Sequence, residues 1–123
     1  AWRRKDDTAF QRALQFINDR PLYHQMTING EEYIFVHAGL NPNKNLEEQE
    51  EEDLLWIREK FYNGYRGSAH VVCGHTPTPF VKRNFYYPIR LPNKITMMDT
   101  GSFMRDGKIS CIDILSDKIW QSD

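Results

Sequence analysis

Apolar residues recur at Phe10, Ala13, Leu14 and Ile17, the i, i+3, i+4, i+7 spacing of one helical face. Asp6 and Asp7 suit the N-terminus of that helix, and Pro21 stops it. "LYHQMTINGEEYIFVH" then predicts two strands around an Asn29-Gly30 turn. Residues 41–62 begin as a loop and become a second helix near Leu46, with Leu54, Leu55, Ile57 and Phe61 on its buried side. A short strand is expected at His70–Cys73, followed by a loop over residues 76–92 rich in proline, threonine and aromatics. "KITMMDTG" predicts a further strand stopped by Gly101. "KISCIDIL" follows the Asp106-Gly107 turn, with Ile109, Cys111 and Asp113 on one face and Ser110, Ile112 and Ile114 on the other. "KIWQ" pairs back across Ser116-Asp117. Helix, hairpin, helix, then mostly strands predicts an α+β or α/β layer, with helices on a mainly antiparallel or mixed sheet.

Composition narrows the picture. The 123 residues suit one domain, and 40% hydrophobic content supplies a core. Sixteen Lys and Arg against seventeen Asp and Glu leave a net charge of −1, which gives no electrostatic case for nucleic acid or a membrane surface. The acidic run at residues 47–53 reads as a solvated face at a helix N-terminus. Cys73 and Cys111 fall inside expected strands and read as buried thiols of a cytoplasmic protein. The opening "AWRRKDD", without an initiator methionine, reads as a piece cut from a longer protein.

Two strands end alike. "YIFVHAGL" runs into His37 and Gly39, and "AHVVCGHTP" runs into Gly74 and His75. Histidines at strand-to-loop transitions stand where α/β sites gather. A neighbouring glycine lets backbone approach an ion or anion, and neutral imidazole is a common ligand for Zn, Mn and Fe. Two ligands alone make a poor metal site, and no HxH, HExxH or CxxC pattern completes one. His24 and His70, without glycine or turn, read as ordinary surface or edge residues.

"FVHAGL", "LLWIRE", "VVCGHTP" and "MMDTGS", in this order and spacing, resemble the C-terminal half of the calcineurin-like metallophosphoesterases of the serine/threonine phosphoprotein phosphatase family. The bacterial and phage branch, near the symmetrical diadenosine tetraphosphate hydrolases, is the most similar. The resemblance covers roughly residues 18–123. It implies a β-sandwich flanked by helices, with His37 and His75 binding the same ion of a centre of two divalent ions (Mn, Fe or Zn). It implies phosphate contact by Arg58 and hydrolysis by a water activated between the two ions. The family's GDxHG, GDxxDRG and GNHE blocks, which precede the HAG block, do not occur here. The chain therefore reads as one domain, residues 1–123, forming the C-terminal part of a longer metallophosphoesterase domain and inactive alone.

For Arg58 the alternative is a helix-surface arginine with its head in water; its helical neighbours Leu54, Leu55, Phe61 and Tyr62 offer no acid. Asp99 either orients a ligating imidazole or forms the Asp-Thr-Gly turn at a strand end. Trp56, Tyr62, Phe80, Tyr86 and Tyr87 edge a substrate groove or pack the rim. The leading substrate is a phosphoprotein carrying phosphoserine or phosphothreonine. Diadenosine polyphosphate is the alternative of the same class, and a non-catalytic binding module is the alternative of another.

Overall fold

The structure, a computed structural model, describes residues 7–123, so the first turn expected around Asp6 lies outside the described residues. In chain order the elements are α1 (Asp7–Asn18), β1 (Tyr23–Ile28), β2 (Glu31–Val36), a 3₁₀ turn (Leu46–Glu48), α2 (Glu51–Trp56) and α3 (Glu59–Gly64). Then follow β3 (His70–Cys73), α4 (Thr78–Val81), β4 (Ile89–Arg90), β5 (Ile95–Met97), β6 (Ser110–Ile112) and β7 (Ile119–Gln121).

Five strands form one mixed sheet in the order β1-β2-β3-β5-β4; β6 and β7 form a separate hairpin. β1 and β2 are antiparallel around Asn29 and Gly30, both at positive φ, the backbone that an Asn-Gly hairpin turn requires. β2, β3 and β5 run parallel, in the register Val36↔Cys73↔Met97. Residues 37, 74 and 98 therefore leave the sheet together at its carboxyl end.

One face of this sheet carries the core. Ile34 and Val36 of β2, Val71 and Cys73 of β3, and Ile95 and Met97 of β5 pack with Leu54, Ile57, Phe61 and Tyr65. Alternation puts Phe35 and Val72 on the other face, half-buried, beside an open cleft of about 680 Å³ that also touches Leu22, Met98 and His37. α1 buries no residue, and Phe16 and Ile17 on it are 62% and 63% exposed.

The expected second helix is broken. It forms as a 3₁₀ turn and two six-residue helices, with Ile57 extended and Arg58 at φ −129°, ψ −112° between them. The cause is a competing hydrogen bond. The Leu54 carbonyl, which a continuous helix would give to the N–H of residue 58, instead accepts the N–H of Ala38 at 2.9 Å. Leu54, Ile57 and Phe61 reach the core, but Leu55 is only half-buried.

The loop over residues 76–92 contains two elements the pattern did not announce, α4 and β4. The expected 108–115 strand shortens to Ser110–Ile112, and the face of Ile109, Cys111 and Asp113 is the exposed one. Cys111 is thus exposed rather than buried, because β6 pairs only with β7 and its outer face has no layer over it among the described residues. Cys73 is buried, and burial alone pushes its thiol up to about 12. No helix among the described residues is long and apolar enough to cross a membrane.

Candidate metal centre

The parallel register of β2 and β3 sets the site. Beyond Val36 and Cys73 the chains leave side by side, and the Gly74 N–H donates to the His37 carbonyl at 2.8 Å. The next residue, His75, then turns back. The Thr76 N–H donates to the Gly74 carbonyl at 2.7 Å while His75 sits at φ +64°. This is a three-residue γ-turn of the positive-φ kind, a rare and strained conformation for a residue with a Cβ. It brings His75 Nδ1 to 3.2 Å from His37 Nε2, with the rings inclined at 56°.

That spacing is a hydrogen bond between the two rings in the metal-free chain, and it also fits a shared ion once the intervening proton leaves. With metal–nitrogen bonds of about 2.0–2.1 Å, a 3.2 Å separation corresponds to an angle of about 100° at the metal. His37 is exposed and His75 half-buried. The pKa of His75 is lowered from its ordinary value, first by burial, then by the Arg58 guanidinium and by His37, with the Trp56 carbonyl and Asp99 opposing. The ring is therefore neutral at pH 7 and offers a lone pair. Its other nitrogen, Nε2, is buried and makes no hydrogen bond of good geometry among the described residues, the Trp56 carbonyl acting on the ring only weakly. The indole of Trp56, itself 65% exposed, stands edge-on to the His75 ring at 5.5 Å. Beyond the histidine pair, no group of three or more metal-ligating side chains occurs among the described residues.

Arg58 reaches the same turn. It is not on the C-terminal part of a helix but in the break between α2 and α3. From there Nη1 reaches the His75 carbonyl and the Thr76 hydroxyl, each at 3.4 Å. Asp99 leaves β5 at the same carboxyl end. Its Oδ1 accepts the Gly101 N–H at 2.9 Å and its carbonyl accepts the Thr78 N–H at 2.7 Å. The turn-forming role is thus filled, and among the described residues no hydrogen bond links Asp99 to either imidazole.

The glycines divide. At Gly74 a Cβ would meet the His37 carbonyl at an ordinary 3.6 Å, so the close approach there is backbone to backbone. At Gly39 a Cβ would fall inside the Phe61 ring. Gly39 therefore makes room for core packing, not for an ion. His70, read as an ordinary edge residue, is half-buried, stacks on Tyr33 at 4.7 Å and meets the Glu31 carboxylate at 2.6 Å; His24 is exposed. Of the groove aromatics, Trp56, Phe80 and Tyr87 are exposed, while Tyr62 and Tyr86 are half-buried. Sequence reasoning missed Thr76, which is buried and faces Arg58; its place directly after His75 was the available signal.

Fold and site together define a mixed α+β domain with paired imidazoles at the carboxyl ends of parallel strands. No protein-family model matches the chain, and no curated protein matches it.

Proposed function

We propose that this chain carries part of a metallophosphoesterase centre, in which His37 and His75 hold one divalent ion. The observation that carries this reading is the 3.2 Å approach of His37 Nε2 to His75 Nδ1, delivered by two strand ends and a strained turn. Backbone strain of this kind persists where the surrounding structure enforces it, and it concentrates at ligand clamps and active sites. Nothing in core packing requires a histidine at that φ.

Bound divalent ions would supply Lewis acidity toward a phosphoryl oxygen and toward the attacking water. The chain's own residues do the rest. His37 and His75 present ring nitrogens at one point. The Arg58 guanidinium stands beside the turn, where its positive charge suits a phosphoryl group. The blocks GDxHG, GDxxDRG and GNHE are absent here. Two imidazoles form neither a complete ligand set nor a two-ion clamp, so the chain alone is inactive and needs further ligands from a preceding segment or another chain.

The favoured substrate is a phosphoprotein. Glu51 and Glu52 are exposed and line a shallow cleft with Leu55 and the Trp56 ring. Their carboxylates disfavour a polyphosphate chain more than a single phosphoryl group. The β-sandwich architecture belongs to the same proposal. The half-covered sheet face around Phe35 and Val72, and the exposed apolar residues of α1, are surfaces that a second layer would cover.

Zinc titration of the chain by calorimetry tests the reading. Binding should be lost in both His37→Ala and His75→Ala and retained in His24→Ala. Binding that survives either site substitution sinks it. A coding sequence upstream of Ala1 that encodes an unrelated domain would favour the non-catalytic binding module.

A further inference from the structure

The two histidine turns are tied to one another and to one short segment between them. The Gly74 N–H bonds the His37 carbonyl. The Ala38 N–H bonds the Leu54 carbonyl, which ends α2 and forces the break at Ile57 and Arg58. From that break Arg58 Nη1 crosses to the His75 carbonyl and the Thr76 hydroxyl. The strands fix where His37 and Gly74 begin. They do not fix the turn at His75, which holds φ +64° against the ordinary preference of a Cβ-bearing residue.

We propose that Arg58 is a positioning residue: its guanidinium braces the His75–Thr76 turn and so keeps His75 Nδ1 aimed at the point it shares with His37. This rests on the metal-centre reading for its purpose, but the brace itself is a property of the metal-free chain. Both contacts spring from Nη1: one lands on the His75 carbonyl, in the peptide unit whose N–H closes the γ-turn, and the other on the side-chain hydroxyl of Thr76. Thr76 is buried, so its hydroxyl depends on protein partners rather than on bulk water. A lysine does not replace the arrangement, because its side chain is one bond shorter and its ammonium falls short of the point from which Nη1 reaches both acceptors at 3.4 Å.

The sign of one measurement separates bracing from mere charge. A guanidinium near a divalent ion repels it, so a charge-only Arg58 predicts tighter zinc binding in Arg58→Ala. A brace predicts the reverse, a loss of about tenfold or more, the usual effect of removing a group that holds a metal ligand in place. Arg58→Lys should show nearly the same loss. In the metal-free chain, hydrogen exchange at the Thr76 amide, whose N–H closes the turn, should accelerate about tenfold in Arg58→Ala. Thr76→Val, which removes the hydroxyl at constant shape, should give a smaller loss of zinc affinity and supplies the test if Arg58→Ala does not fold.

Weaker zinc binding together with faster Thr76 exchange supports the proposal. Tighter zinc binding in Arg58→Ala, or unchanged Thr76 exchange, overturns it. A wild-type chain whose His37 and His75 are left untouched even by millimolar zinc overturns the metal reading and the purpose assigned to the brace, even where Thr76 exchange still responds to Arg58.

Discussion

His75 is expected to be a residue whose replacement by glycine costs the metal-free protein almost nothing and whose replacement by alanine costs more. Its backbone stands at φ +64° in a γ-turn, where a residue with a Cβ is disfavoured by about 1–2 kcal/mol relative to glycine. Its Nε2 is buried and makes no hydrogen bond of good geometry among the described residues, at a further cost of about 1 kcal/mol. Against these, His75→Gly loses the packing of a half-buried ring on Trp56, about 1 kcal/mol, loses the hydrogen bond to the His37 ring, about 1 kcal/mol, and adds about 0.5–1 kcal/mol of unfolded-chain entropy. The terms nearly cancel. For 123 residues the unfolding entropy is about 0.26 kcal/mol/K near 60 °C, so His75→Gly should melt within about 2 °C of the parent protein. His75→Ala keeps the disfavoured φ and loses the ring, so it should melt below His75→Gly by about 1 kcal/mol. Thermal melts of the three proteins in excess chelator measure this. His75→Gly melting at or below His75→Ala would refute the strain, and with it the argument that this position is held for a ligand.

The remaining expectations need less argument. At pH 8 Cys111, exposed on β6, should react with an aromatic disulfide within minutes, whereas Cys73, pushed up to about 12 by burial, should react only after unfolding; equal rates would contradict the packing of β3. Gly39→Ala places a methyl in the Phe61 ring and should cost about 1–3 kcal/mol in urea unfolding; a neutral effect would mean Phe61 moves freely in the core. The chain alone should not hydrolyse p-nitrophenyl phosphate above background in excess Mn²⁺, and manganese-dependent turnover abolished by His75→Ala would show that the ligand inventory is incomplete.

Much of this was legible because local signals agreed with the fold. The Asn29-Gly30 hairpin and β3 lie where the pattern placed them, since turn chemistry and alternating burial are written within a few residues. The break at Arg58 was not legible. It depends on the Leu54 carbonyl being taken by Ala38, sixteen positions away, and no periodicity within residues 46–62 reports it. The same holds for Cys111. Alternation named its face correctly but not which face would meet a neighbouring layer. Gly39 was read as room for an ion because it stands beside His37, yet the residue that needs its space, Phe61, is distant in sequence. At the site, the strand ends announced His37 and His75, but neither the positive φ of His75 nor the Arg58 contacts follow from spacing.

The central claim is that two imidazole nitrogens, His37 Nε2 and His75 Nδ1, meet at one point to take one ion. Long-range ¹H–¹⁵N spectra of the four histidine rings, recorded during a zinc titration at pH 7, test it most directly. The account predicts that those two nitrogens shift together along one binding curve, that His75 keeps its proton on Nε2, and that His24 and His70 stay unchanged over the same range. Zinc that shifts His24 or His70 as strongly, or that engages His37 and His75 at different concentrations, would contradict it.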